Sequence, residues 1–468
     1  MKSLHQPRTP RSLSCQLRPA AALLAAFALI SGASAQTTWV GNTSADINTA
    51  ANWTAGVPTG SVNSIFTTAG SSGSTLSLSA DLQFVGGSAP TSNAMLFNGD
   101  GFTLTGTGTR QLTIGGQGLA ISTANTITLD TPRIRRNASN TFEFLGSSGD
   151  LVVNGGFSTN ITAAADTTTR VDFTGAGGTG NTITFNGAIV NVFTGVAGAG
   201  LGNLITSSSG TGNRVVFNNP SNTGFTGTIT VGNNVQVQLG NGGTGGTLAG
   251  STAVTLGNAA SRFTVNQSDT VTQGTEFASS ITGSGGFTQA GAGTTILNAA
   301  NGFSGGSIIS AGTLLVENTT GSGTGTGAVT VQSGGALGGD GSISGSVTFN
   351  AGSKFAFSTT SVLDVNGATV SFGGFSVSDL NGLSGAVAAG TYTLIAGSAS
   401  ISATNLANVG SSNAFSLGAE KTAYFDLGTG DLQLVVAASA IPEPAAFSAV
   451  LGLGVVALAA ARRRRSAV

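Results

Sequence analysis

Six charged residues lie within one stretch of this chain and are of the types that bind or cleave acidic sugars: Arg133, Glu143, Asp150, Asp166, Arg170 and Asp172. Converging carboxylates supply the acid, base or nucleophile of glycoside hydrolysis, and Asp ligands can hold a calcium ion beside an Arg or Lys base. Asp166 and Asp172 flank Arg170 across a Thr run, which would place a mixed-charge patch on one turn of chain. Their other reading is as isolated polar surface residues. No motif of a polysaccharide-cleaving enzyme surrounds them, so the expectation is a protein that is not an enzyme, with no catalytic, cofactor-binding or metal-binding residue to assign. Arg133, Arg135 and Arg136, beside Pro132, form the one basic cluster of the body. That cluster suits either an acidic polysaccharide or a solvated loop, and we expect the loop.

Other chemistries are closed off by position. The single cysteine, Cys15, and the single histidine, His5, both precede the first hydrophobic run, Ala20 to Ile30. That run follows a basic segment ending at Arg18 and leads into Ser31-Gly32-Ala33-Ser34-Ala35, the form of a signal peptide over residues 1–35. Cleavage with Ala33 and Ala35 at the small-residue exit would leave Gln36 as the first mature residue. Disulfides, thiolate or imidazole zinc sites and histidine-based catalytic triads are then excluded from the mature chain. Cys15 lies before the apolar run, on the wrong side for a lipid-anchoring cysteine.

Only 7% of the 468 residues are charged, while glycine contributes 74. An average protein carries about 25% charged residues. Residues 36–461 hold nine basic and 18 acidic side chains, a net −9 that the arginines at the two ends conceal. Nucleic acid is therefore not an expected partner.

The elements that would carry any site are short β-strands. Leu112-Thr113-Ile114, Ile127-Thr128-Leu129, Phe142-Glu143-Phe144, Leu151-Val152-Val153, Ile183-Thr184-Phe185 and Val215-Val216-Phe217 are β-prone runs closed by Gly, Asn or Ser, and no segment sustains a helical period. The run 285–316 is the clearest. Its Gly291-Ala292-Gly293-Thr294, Asn301-Gly302-Phe303-Ser304-Gly305-Gly306 and Ala311-Gly312-Thr313-Leu314 resemble the autotransporter-associated β-strand repeat. The resemblance implies coils of a right-handed parallel β-helix in a secreted bacterial surface protein. An internal copy is read in Asn218-Asn219, Phe225-Thr226-Gly227 and Val235 with Val237; Phe225 and Phe303 are 78 residues apart, which suggests several coils between them.

Such a solenoid gives sparse charge a physical reason. Equivalent side chains on successive coils lie about 4.8 Å apart, so a ladder of like charges would repel at every step. Coils of roughly 20 to 25 residues, as the resemblance implies, would give about 15 in the exported body.

The organisation expected along the chain is a capping segment at 36–75, a β-solenoid at 76–360, and a C-terminal β cap of antiparallel character at 361–437. Trp39 and Trp53 read either as a sugar-stacking platform or as an aromatic plug over the first coil, and we favour the plug. Gly428-Thr429-Gly430-Asp431 suits a hairpin connection. Gly338-Gly339-Asp340-Gly341 resembles a calcium-binding nonapeptide repeat, but that motif works in tandem and occurs here once. Gly-x-Gly runs with no helix behind them read as solenoid corners rather than phosphate loops.

Residues 441–466 resemble a PEP-CTERM sorting signal. Pro442-Glu443-Pro444 is followed by the uncharged stretch 445–461 and then by Arg462, Arg463, Arg464 and Arg465. A helix over those 17 residues would be roughly 25 Å long, at the short end of a bilayer span, with the arginines cytoplasmic. The resemblance implies recognition by an exosortase-type processing enzyme and removal of the helix after transient anchoring in the inner membrane; a permanent single-span anchor is the other reading. A tail of this kind leaves no room for an outer-membrane barrel.

These features together lead us to expect an exported, non-enzymatic β-solenoid of the cell surface or extracellular matrix, a spacer or adhesin, with exopolysaccharide or envelope components as partners. The alternative is a β-helix that binds or cleaves polysaccharide through residues between Arg133 and Asp172.

Overall fold

The structure is a computed structural model. It describes residues 36–438 except 60–61, 68–72, 85–93, 116–117, 138–140, 147–148, 159–167, 173–178, 191–202, 208–209, 223–226, 250 and 419. All of these fall in the unit Ser34–Val468. The leader with Ala33 and Ala35, and the tail with Pro442, Glu443, Pro444, the apolar stretch 445–461 and Arg462 to Arg465, lie outside the described residues.

The described chain is an all-β solenoid. Each coil lays down short strands on up to three faces before the next coil repeats them one strand-width along. The first face is a sheet of 11 strands running from Gln36–Thr38 to Gly302–Phe303, and the second a sheet of 14, from Thr75–Leu78 to Ser400–Ile401. The third is split into a five-stranded sheet between Leu82–Phe84 and Ile189–Val190 and a six-stranded one between Thr270–Thr272 and Leu380–Asn381. Pairing within these four sheets is parallel, as in Val347 with Val370 and Thr294 with Thr313. Helical structure amounts to short 3-10 turns such as Ala50–Asn52 and Val377–Asp379. Among the described residues no helix is long and apolar enough to cross a membrane.

Alternation along each strand decides what is inside. In Leu151–Val153 and Val329–Val331 the outer two side chains are buried and the middle one is half-buried. The inward positions stack coil on coil. Phe66 lies on Phe97 with ring centroids 4.5 Å apart, Phe185 on Phe217 at 5.6 Å and Phe349 on Phe372 at 5.5 Å, each pair in direct register. Offset aromatic stacking adds to the burial of these rings.

The outward positions of the second face form an unbroken ladder of Thr75, Thr103, Thr128, Val152, Thr184, Val216, Gln238, Thr264, Thr288, Ile308, Thr330, Thr348 and Ser371. No carboxylate or ammonium interrupts it. This ladder is the physical counterpart of the low charge: at about 4.8 Å per step, β-branched and amide side chains stack without the repulsion that charges would meet.

Several expectations need adjustment. Coils vary from 18 residues, Val329 to Val347, to 35, Thr168 to Asn203, because insertions go into the corners while the strand register is kept. The most populated face holds 14 strands rather than the 15 coils expected. Parallel pairing also continues past residue 360, through Leu363–Val365, Thr369–Phe372 and Ser400–Ile401. Antiparallel pairing begins where Gly390–Ala396 meets Leu432–Ala438, which then pairs with Lys421–Leu427 across the 428–431 connection.

At the other end, Trp39 and Trp53 are buried, edge to face at 5.4 Å, and Trp53 packs on Phe66 at 5.3 Å. The Trp53 Nε1 donates to Ile47 O at 2.9 Å, so neither ring offers a face to a sugar.

Candidate functional site

The backbone spreads the charged residues singled out in the sequence over several faces of the coil and sets Glu143 opposite Arg170. Arg133–Asn137 is a strand of the third face, paired with Gln111–Gly115 on one side and Gly156–Ser158 on the other. The basic cluster is therefore not a loop: Ile134, fully buried between Arg133 and Arg135, supplies the inward residue that makes the segment a strand. Glu143 and Arg170 occupy paired positions on neighbouring strands of the first face, and Asp172 lies two residues along from Arg170, opposite Leu145. Asp150 sits at the corner before a strand of the second face, where its Oδ1 accepts the Thr182 backbone N–H of the next coil at 2.6 Å. Asp166 and the side chains of Arg136, Glu143, Arg170 and Asp172 lie outside the described residues. Backbone placement alone distributes the set over three faces, so it does not define one cleft. Gln36, the expected mature N-terminus, is the exposed first residue of the opening strand and pairs with Asn63.

What the run 285–316 does is visible in its polar residues. Asn301 is 6% exposed and joins three coils: its Oδ1 accepts from Ile281 N at 2.9 Å, one coil before, and its Nδ2 donates to Gly323 O at 2.7 Å, one coil after. Gln273 completes the cluster, with its Nε2 donating to Asn301 Oδ1 at 2.8 Å. Asn222 plays a similar part, accepting from Ile189 N at 2.6 Å. Amides suit these corners because they carry both donor and acceptor and can satisfy backbone groups that the turn removes from the ladder.

The glycines of the motif answer to close approach. Gly312 has φ +59, and a Cβ there would run into the carbonyl oxygens of Gly291 and Gly293 on the coil before. Register also corrects the internal copy. Phe303 stacks through Gly283 and Leu256 onto Val231, three coils away, so the equivalent of Phe303 is Val231; Phe225 itself lies outside the described residues.

Two features escaped sequence reading. Glu317 and Asp340 each follow a strand whose last residues, Val316 and Gly339, are paired, so two carboxyl groups meet on adjacent coils. Burial, then the hydrogen bond and repulsion from Asp340, push the half-buried Glu317 carboxyl up to about 7. The sequence signal for it is the shared spacing after Leu314-Leu315-Val316 and Leu337-Gly338-Gly339, whereas Asp340 by itself reads only as a fragment of a calcium repeat. The second is a pair of arginines, Arg214 and Arg262, near the starts of the strands Asn213–Phe217 and Arg262–Val265 of the second face, at equivalent outward positions.

A cavity of about 350 Å³ opens beside Phe375, Ser376, Asp379 and Asn405. Its carboxylate is already committed, accepting from Lys354 Nζ at 2.7 Å and from Ser376 N at 2.8 Å. Among the described residues no three His, Cys, Asp or Glu side chains form a metal-holding group.

The family model of the passenger-associated transport repeat matches residues 287–316. The match starts within the strand Gly286–Gln289 and ends with Gly312–Val316, about one and a half coils, and contains Asn301 and Gly312. No curated protein and no solved structure matches the chain.

Proposed function

We propose that this chain is an exported β-solenoid that works at the cell surface or in the extracellular matrix as a non-enzymatic spacer or adhesin. The observation that carries the reading is the passenger-associated repeat at 287–316, placed within a continuous stack of coils whose buried amides are used to join coil to coil. A repeat associated with passenger transport points to export, and a parallel stack with scattered charges offers length and surface rather than a cleft. The coil is taken as right-handed, as parallel crossovers nearly always are. The buried Trp39 and Trp53 would close its first coil and the antiparallel strands from 390 its last, protecting edges that would otherwise pair with other chains.

Residues 1–35 would direct export, and 441–466 would act as a PEP-CTERM signal, with an exosortase-type enzyme cutting near Pro442-Glu443-Pro444 after the stretch 445–461 had held the chain in the inner membrane. Intact mass and fractionation from the native host, alongside a variant with Arg462 to Arg465 changed to alanine, test this. A species from Gln36 to about Pro442 in the envelope or medium, lost in the variant, is the expected result. A species retaining 445–468 in the inner membrane would replace sorting by a permanent anchor, and an uncut cytoplasmic chain would overturn the export reading.

A further inference from the structure

We propose that the outer side of the 14-stranded face carries, around Arg214 and Arg262, a docking strip for an acidic polysaccharide of the polyuronate type. This deepens the matrix reading above, on which it rests for its setting, by naming a partner chemistry.

The strip is built by register. Thr182, Arg214, Gln236, Arg262 and Gly286 occupy one outward column on five consecutive coils. No carboxylate pairs with either arginine among the described residues, where the ion pair seen is that of Lys354 with Asp379. Both side chains are half-buried and held along the stack. Arg214 Nη1 donates to Gln238 Oε1 at 3.3 Å, and its Nε is buried with no acceptor. Arg262 lies across Gly286, where a Cβ would collide with the guanidinium, and its Nη1 donates to Gly305 O at 3.0 Å and Gly306 O at 3.3 Å. Burial lowers the Arg262 pKa, the mark of a cation short of solvent. Each fork keeps unused donors, and much of the cost of ordering the side chain has been met before a ligand arrives.

The partner follows from charge, spacing and surface. Residues 36–461 carry a net −9, so a polyanion is repelled over most of the body and meets two unpaired cations here. The Arg214 guanidinium lies at the coil of Gln238 and that of Arg262 between Gly286 and Gly306, two or three strand spacings apart or roughly 10–14 Å. Carboxylates on alternate sugars of an extended polyuronate point the same way at comparable intervals. Between the two cations the surface presents the half-buried Gln236 amide, which covers the buried Thr264 by donating to its Oγ1 at 2.7 Å, and the half-buried Thr288 side chain, groups suited to sugar hydroxyls. A peptide is a poorer fit: these strands are paired on both sides and expose no backbone edge for strand addition.

Isothermal titration of the full-length protein with a polygalacturonate oligosaccharide is the test, with an uncharged β-linked glucan and polyglutamate of matched length as comparisons. Polygalacturonate should bind in a salt-sensitive way and the glucan should not. Arg214→Gln and Arg262→Gln should each weaken binding about fivefold or more, while Arg110→Gln, an exposed arginine off the strip, should leave it unchanged. Melting curves check that each variant is folded; if Arg262→Gln is not, Arg214→Gln carries the comparison. Absence of polygalacturonate binding, equal binding of the glucan or polyglutamate, or equal loss in Arg110→Gln would overturn the assignment. Failed binding by a protein found in the matrix would end this proposal and leave the export reading intact; binding by a protein that stays in the cytoplasm would do the reverse.

Discussion

At Asn301 a single side chain serves the backbone of the coil before it and of the coil after it. Replacing it with alanine strands the buried Ile281 N–H and Gly323 C=O, and each such loss costs about 1–3 kcal/mol. Asn301→Ala should therefore destabilise the surrounding coils by roughly 2–4 kcal/mol, read as an earlier urea transition. Glu317 makes the complementary point about charge. Its folded pKa is raised from 4.5 to about 7 by burial and by Asp340, so the folded state holds a proton that the unfolded chain has already lost. Stability is fully present below about pH 4.5 and falls as pH rises through 7. Glu317→Gln should flatten melting temperature against pH across that window while leaving it unchanged at pH 4. Because Glu317 is only partly buried, solvent screening keeps the effect modest.

Between the elements, what the sequence revealed and what it concealed divide along physical lines. Ile127–Asp130, Leu151–Val153, Thr294–Leu297 and Val347–Phe349 were readable because two-residue alternation and β-branched side chains act within one strand. Arg133–Asn137 was misread because Pro132 and three arginines outweighed the one inward residue, Ile134. Register was not legible, since pairing depends on corners whose insertions make the coils range over 18–35 residues. Hence Phe225 was matched to Phe303, although the ladder sets Val231 there. The same blindness hid Glu317 beside Asp340 and Arg214 in line with Arg262, whose relations exist only once coils are stacked. The limit of the parallel stack was equally hidden: Leu363–Val365 and Gly390–Ala396 look alike as strands, but only the second has an antiparallel neighbour.

For the stack of coils as a body, most parallel strands are held by the coil before and the coil after, so stability is close to a sum of nearest-neighbour terms rather than one cooperative core. A local defect should then stay local. Gly312 is a good place to introduce one: at φ +59 an alanine is strained, and its Cβ falls on the Gly291 and Gly293 carbonyls across the coil boundary. Hydrogen exchange on Gly312→Ala should show faster exchange in Thr294–Leu297, Gly312–Val316 and Gly335–Gly339, the strands that share its ladder. Met95–Phe97 and Ile127–Asp130, more than six coils away on the second-face count, should exchange as in the unaltered protein. Uniform acceleration along the chain would mean that the coils unfold as one unit, and a solenoid of that kind could not yield at one coil without losing its full length. Local yielding is what a spacer under load requires, because the neighbouring coils keep the ends apart while the damaged one re-forms.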